Sequence, residues 1–288
     1  MQPFAYTAPT TVKEAVEILT KHGNKARPLA GGTDLLVQIR GGKYNLDAVV
    51  DIKKIPELNS LSNDSKSLNI GAAVPCHRIY EDPKISEDFP GLIDAAELIG
   101  GIQIQSRAGI GGNLCNSTPS GDSIGPLIVL SAVANIEGSN GKRSIPVEDF
   151  CTGPGSNALE NGEILVSLSI PNQGSKFSSA YERFIPRNEM DIAVAGVASS
   201  ILIGSNGKIE SARIALASVG PTPILAKKAS ESLIGKEPGE AAFNEAGAIA
   251  KTECSPIEDM RGTVDQRKHL VEVLTVRTLN KSLERIGG

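Results

Sequence analysis

Tryptophan is absent from this 288-residue chain and aromatic residues make up only 3% of it, so a planar ligand must be gripped mainly by backbone and aliphatic groups. Cysteine is also scarce. The thiols Cys76, Cys115, Cys151 and Cys254 are too widely spaced to ligate zinc or an iron–sulfur cluster, and too few for a secreted disulfide scaffold. They read as reduced, cytosolic thiols. No apolar run approaches a membrane span, and the opening MQPFAYTAPTTVKEA has neither the basic nor the apolar region of a signal peptide, so a soluble cytoplasmic protein is expected. Net charge is −4, and the basic residues are scattered without aromatic neighbours. Nothing there tracks a nucleic-acid backbone.

Two phosphate-binding motifs are missing as well. No glycine turn is followed by Lys-Ser or Lys-Thr, which argues against nucleotide hydrolysis or phosphoryl transfer, and a Rossmann fingerprint begun at Gly109 fails at its last position, Leu114. His22, His77 and His269 are dispersed, with no Ser, Cys or carboxylate motif beside them, and suggest no catalysis.

What is present centres on Arg107 to Leu130, where Gly109, Gly111 and Gly112 precede Asn113. Such a bend exposes several backbone N–H groups on one side and forms a concave anion site. Thr118-Pro119 and Asp122-Ser123 then signal a helix start just past the turn, over the apolar run from Ile124. Leu29, Ala30, Gly31, Gly32, Thr33, Asp34 and Leu35 repeat the logic of strand, glycine pair, hydroxyl cap and helix. Two such turns suit the two phosphates of a dinucleotide. Hydrogen bonds to a charged acceptor contribute roughly 1.5–3 kcal/mol each, against ordering costs of similar size. Phosphates alone would not hold the ligand, so a large buried ring such as a flavin is favoured over a free mononucleotide.

The length suits two domains. A strand near Phe4 to Tyr6, a helix opened by the capping box Thr11 to Glu14, a strand at Arg27 to Ala30, a helix at Leu35 to Arg40 and a strand at Ala48 to Ile52 form a β-α-β unit. Short strands and helices follow, then a hairpin whose turn is Gly138-Ser139-Asn140-Gly141 and an alternating strand at Ile164 to Ile170. The polar segment Pro171 to Ser175 places the domain boundary at 174/175. Beyond it, strands at Phe177 to Ile185, Ile192 to Ile203 and Lys208 to Ala217 read as a meander, with helices at Thr222 to Leu233, Ala241 to Lys251 and Val264 to Ile286. A sheet followed by helices is the α+β pattern.

AGGTDLL (Ala30 to Leu36) and IGGNLCNSTPSGDSIGPL (Ile110 to Leu127), with VVDIKKIPEL, EILVSLSIP and RNEMDIAVAGVA elsewhere, resemble the FAD-binding (medium) subunits of molybdenum hydroxylases, the group of xanthine, carbon monoxide and aromatic-ring dehydrogenases. The resemblance runs in order along nearly the whole chain. It implies a two-lobed, vanillyl-alcohol-oxidase-like (PCMH-type) FAD-binding domain over 1–174, and a carbon monoxide dehydrogenase flavoprotein-like domain over 175–288 with a three-stranded antiparallel sheet and helices. It implies that Leu29 to Leu35 and Gly109, Ile110, Gly111, Gly112 and Asn113 surround the FAD pyrophosphate. Ile164 and Leu165 would contact the ring or adenine side, and Asp122 the hydroxyls. Arg183 stands where the family often has a lysine near the flavin. Molybdopterin and 2Fe–2S centres are implied on separate large and small subunits, as a heterotrimer or a dimer of heterotrimers. Electrons would pass through this chain to an external acceptor.

Blander readings stand beside these. Asp34 suits the macrodipole of its helix better than a pyrophosphate, which it would repel, leaving Thr33 as the better contact. Asp122 is equally a helix cap, Asn113 a turn residue, Cys115 an apolar filler and Arg183 a solvated strand charge. A free-standing FAD oxidase and a non-catalytic nucleotide-binding module remain as alternative functions.

Overall fold

A computed structural model describes residues 2–287. The chain opens with β1 (Ala5–Thr7), α1 (Val12–His22), β2 (Ala26–Leu29), α2 (Leu35–Arg40) and β3 (Ala48–Asp51). The strands form a parallel sheet of order β1-β3-β2. Thr11 caps α1 by accepting from the Glu14 amide at 3.2 Å, and Glu14 reaches back to the Thr10 amide at 3.0 Å. Val12, Ala15, Val16 and Leu19 make its buried stripe against β2 and β3. Gly23 ends the helix at φ +54°.

The second lobe is an antiparallel sheet of order β4-β5-β10-β6-β7. Its strands are β4 (Leu61–Asn63), β5 (Ser67–Gly71), β6 (Val133–Gly138), β7 (Gly141–Pro146) and, after a small ribbon of β8 (Cys151–Gly153) and β9 (Ser156–Asn157), β10 (Ile164–Pro171). The β6–β7 hairpin closes with Gly138 opposite Gly141, Ser139 and Asn140 making the turn and Gly141 taking φ +104° after it. Between β5 and β6 run α3 (Cys76–Tyr80), α4 (Pro83–Asp88), α5 (Pro90–Ala96), α6 (Ile102–Gln105), α7 (Ile110–Asn116) and α8 (Ile124–Val129). They share with the sheet one core around Leu68, Leu92, Leu114 and Phe150.

The remainder is an antiparallel sheet of β11 (Phe177–Phe184), β12 (Ala195–Ile203) and β13 (Ile209–Ala217), backed by α9 (Lys227–Ser232), α10 (Glu240–Glu253) and α11 (Val264–Gly287). A two-residue β14 (Ile224–Leu225) joins the edge beside β13. It takes the first residues of the segment expected to be helical from Thr222, because Pro221 and Pro223 hold that chain extended. The three long strands are therefore a four-stranded sheet with a short edge.

One cluster joins this unit to the rest. Asp94 on α5 accepts two hydrogen bonds from Arg285 at 2.8 Å, one from Lys281 at 3.1 Å and one from the Tyr181 amide at 3.0 Å. The end of α11 is thus fixed to the lobe that precedes it.

Candidate functional site

A cleft of about 560 Å³ lies between the parallel sheet and the second lobe, inside the roughly 300–1,000 Å³ range of small-molecule and cofactor sites. Both glycine turns line it. On its wall stand Ala30, Gly31, Gly32, Thr33, Asp34 and Leu35 from the first, and Gly109, Gly111, Gly112 and Asn113 from the second, with Ile164 and Leu165 of β10.

The turns touch one another. A Cβ built on Gly31 falls 1.9 Å from the Arg107 carbonyl oxygen, so only glycine fits where the two backbones meet. Asn116 donates to the Asp34 carboxylate at 2.8 Å, tying the end of α7 to the start of α2. This is a use of Asp34 that sequence reading missed. It stands at the cap position of α2 without a side-chain bond to the helix, and its carboxylate serves the second turn.

The second turn differs from expectation in a useful way. The glycines are not a loop ahead of the helix: α7 begins at Ile110 with Gly109 as its cap, so Gly111 and Gly112 lie in the first helical turn. Among the two turns' lining glycines, only Gly32 has positive φ, at +77°. The other glycines are needed for approach. Cβ atoms on Gly109 and Gly111 would fall 2.6 Å from the Val74 carbonyl oxygen and 2.5 Å from that of Ala72, whereas one on Gly112 would meet nothing within 4 Å. Gly112 therefore presents an open face, and the cleft is the space it opens on.

The first backbone bond closing α7 runs from the Asn113 amide to the Gly109 carbonyl, and the first in α2 from the Leu36 amide to the Gly32 carbonyl. The amides of Gly111 and Gly112, and those of Gly31 and Gly32, donate to no protein acceptor among the described residues. Neither helix has a side-chain cap. Unpaired donors gathered around a polar cleft, with one glycine face vacant, fit the diphosphate of a dinucleotide.

Four expected contacts are not on the cleft wall. Leu29 packs with Ile39, Leu46 and Val49, and Ile110 is wholly buried in the second-lobe core. Their side chains serve packing because strand and helix phase turns them inward. Asp122 neither caps a helix nor faces the cleft. Its carboxylate accepts from the Arg183 guanidinium at 2.7 Å and the Tyr181 hydroxyl at 2.9 Å. Burial pushes the Asp122 carboxyl up, against the pull of Arg183 and Tyr181. Arg183 is no solvated charge: its side chain is only 5% exposed, since alternation along β11 aims it at Asp122. Asn113 accepts from the Ser123 hydroxyl at 2.8 Å and so joins the second turn to the segment carrying Asp122.

Other cleft residues escaped sequence reading. Arg27 lies over the Tyr44 ring at 4.8 Å, and both line one end. Asn157 donates to the Cys115 carbonyl at 2.7 Å, holding the β8–β9 ribbon against α7, and Asn161 packs beside Gly23. The cluster of Asn and Gly over 155–162 was the available signal. Cys115 lines the cleft, and burial pushes its thiol up to about 12.

Residues 2–173 match the family described as FAD binding domain in molybdopterin dehydrogenase, and residues 179–282 match the carbon monoxide dehydrogenase flavoprotein C-terminal domain. The carbon monoxide dehydrogenase medium chain of Hydrogenophaga pseudoflava is 32% identical over 98% of this chain and 98% of its own length. The xanthine dehydrogenase FAD-binding subunit of Escherichia coli O157:H7 is 30% identical over 99% of this chain and 97% of its own. In solved form, a chain of the H. pseudoflava carbon monoxide dehydrogenase superposes with a TM-score of 0.94 at 32% identity, covering 99% of both chains.

Proposed function

We propose, because this chain belongs to the family of FAD-binding medium subunits of molybdenum hydroxylases, that it binds FAD in the cleft and relays electrons through it. FAD supplies reversible redox chemistry at its ring. The chain's own residues do the holding. Amides of Gly31, Gly32, Gly111 and Gly112 bind the diphosphate, Thr33 and Asn113 flank it, and Ile164 and Leu165 give apolar cover. Leu29 and Ile110 support the two turns from behind, and Asp34 ties them together. Arg183 and Asp122 form a buried pair one step away, reached through Ser123 and Asn113. We place the domain boundary at 174/175.

In this reading, oxidation of the substrate occurs on a large molybdopterin-binding subunit, a small subunit supplies electrons from 2Fe–2S centres, and this chain delivers them to an external acceptor. The assembly is a heterotrimer, or a dimer of heterotrimers, in the cytoplasm. No helix among the described residues is long and apolar enough to cross a membrane.

The observation that carries this reading is the meeting of two sequence-distant glycine turns in one cleft, backbone against backbone, with their amides unpaired. Purified chain is expected to be yellow, to release FAD on denaturation and to bleach with dithionite. Colourless protein that takes up no FAD on reconstitution refutes it. A flavin that resists bleaching points instead to a redox-silent nucleotide-binding module.

A further inference from the structure

The first glycine turn carries no lysine of its own, yet two cations from elsewhere in the chain grip its carbonyl groups. Lys53, just past β3, donates its Nζ to the Ala30 carbonyl oxygen at 3.1 Å. Arg107, at the entrance to α7, donates its Nε to the Gly31 carbonyl oxygen at 3.2 Å. Successive peptide groups are therefore each held at the oxygen by a charged donor.

The consequence follows from peptide geometry. In a trans peptide the C=O and N–H bonds point in opposite directions. A carbonyl of Ala30 fixed on Lys53 aims the Gly31 N–H away from Lys53, and a carbonyl of Gly31 fixed on Arg107 aims the Gly32 N–H away from Arg107. Ala30, Gly31 and Gly32 line the cleft, and neither cation does. The cations hold the turn from the outside while its donors face in.

Each cation is itself placed. Lys53 Nζ lies 2.7 Å from Asp51 Oδ1, the Lys53 amide donates to that same oxygen at 3.0 Å, and the Tyr6 hydroxyl holds the other carboxylate oxygen. The chain of contacts runs from β1 through β3 to the turn. Arg107 has no carboxylate partner among the described residues, so its charge is uncompensated beside the site. Its carbonyl also abuts Gly31, which places the guanidinium and the contact between the turns on one residue.

We propose that Lys53 and Arg107 are positioning residues for the cofactor's diphosphate: by capping the Ala30 and Gly31 carbonyls they set the Gly31 and Gly32 amides toward the cleft, and Arg107 adds an uncompensated positive charge. This deepens the reading of the cleft as an FAD site and rests on it. Both side chains belong to exposed residues outside the hydrophobic core; Lys53→Met also removes the cation beside the buried Asp51 carboxylate, a stability cost that the melting temperature reads separately from ligand affinity.

The test uses the full chain stripped of FAD, with FAD, ADP and adenosine titrated separately and the melting temperature recorded. Lys53→Met and Arg107→Met each weaken FAD and ADP roughly tenfold, the loss of about one charge-assisted hydrogen bond, and leave adenosine, which has no phosphate, unchanged. Lys53→Arg and Arg107→Lys recover most of that loss. Arg107→Met also flattens the salt dependence of FAD affinity, because it removes the unpaired charge. Equal losses for adenosine, unaltered FAD affinity, or no recovery by the conservative variants overturns the proposal. If the wild-type chain binds neither FAD nor ADP, the site reading itself fails and takes this inference with it.

Discussion

Gly112→Ala separates a ligand-facing glycine from a packing glycine within one helical turn. A Cβ at Gly112 meets no protein atom within 4 Å, and its backbone lies in the first turn of α7 without positive φ. The methyl therefore costs the apo-protein nothing and restricts the unfolded chain, a gain of about 0.4–1 kcal/mol, or roughly 1–4 °C in melting temperature for a chain of this size. With ligand the sign reverses. The same methyl occupies the space against which the diphosphate is proposed to rest, displacing one hydrogen bond worth about 1.5–3 kcal/mol, so FAD affinity falls by roughly 10- to 150-fold. Calorimetry on stripped protein reads the first effect and quenching of flavin fluorescence on titration reads the second. Gly111→Ala is the control. Its Cβ would sit 2.5 Å from the Ala72 carbonyl oxygen, so overpacking destabilises the apo-protein by about 1–3 kcal/mol. A Gly112→Ala chain that binds FAD as tightly as wild type would sink the assignment of the diphosphate to that face.

Arg183→Met strands the Asp122 carboxylate, which is buried and keeps only the Tyr181 hydroxyl; breaking such a pair costs about 3–5 kcal/mol, measurable by urea unfolding, and Arg183→Lys loses less. At Asp94, burial alone would raise the carboxyl, but hydrogen bonds from Arg285 and the Tyr181 amide, with the charges of Arg285 and Lys281, hold it below its ordinary value. A depressed folded value means that its stabilisation is complete above the unfolded carboxylate pKa of about 3.9 and is lost as pH falls through the folded value. Acid titration followed by melting temperature is expected to show a steeper loss below about pH 4 for wild type than for Asp94→Asn, and identical slopes refute that account. Burial in the second-lobe core pushes the Cys76 thiol up to about 12, so it is not alkylated by iodoacetamide at about pH 8 until the chain unfolds, because the thiolate is the reactive form. Rapid native labelling of Cys76 refutes that burial.

Signals carried by a few adjacent residues were legible in the sequence. The capping box at Thr11, the Asn-Gly hairpin after β6 and the helix over Leu35 to Arg40 appear as expected, because cap and turn chemistry acts within a few residues. What depends on distant partners was not legible. Gly109 and Gly111 look like loop glycines until Val74 and Ala72 are seen pressed against them, and Asp122 looks like a helix cap until β11 brings Tyr181 and Arg183 over it. Lys53 lies inside VVDIKKIPEL and Arg107 opens the second glycine stretch, but nothing local shows what either side chain holds. Their meaning arises only when β3 and the entrance to α7 flank the same turn. The edge strand Ile224–Leu225 was lost to a helical reading because two residues are too few to show a period.

The cluster at Asp94 bears on how the protein can be taken apart. A fragment ending at residue 174 would retain Asp94 and Asp122 and discard Tyr181, Arg183, Lys281 and Arg285, the charged and hydroxyl partners of these two acids among the described residues. Cutting between the sheets thus leaves a flavin module with two stranded anions on freshly bared apolar surface. Shortening the chain by one helical turn at its far end, beyond Lys281, removes Arg285 and loosens the same fastening from the opposite side. The cofactor half and the final helix are one mechanical piece, although the contact that joins them, Asp94 to Arg285, spans 191 residues of chain.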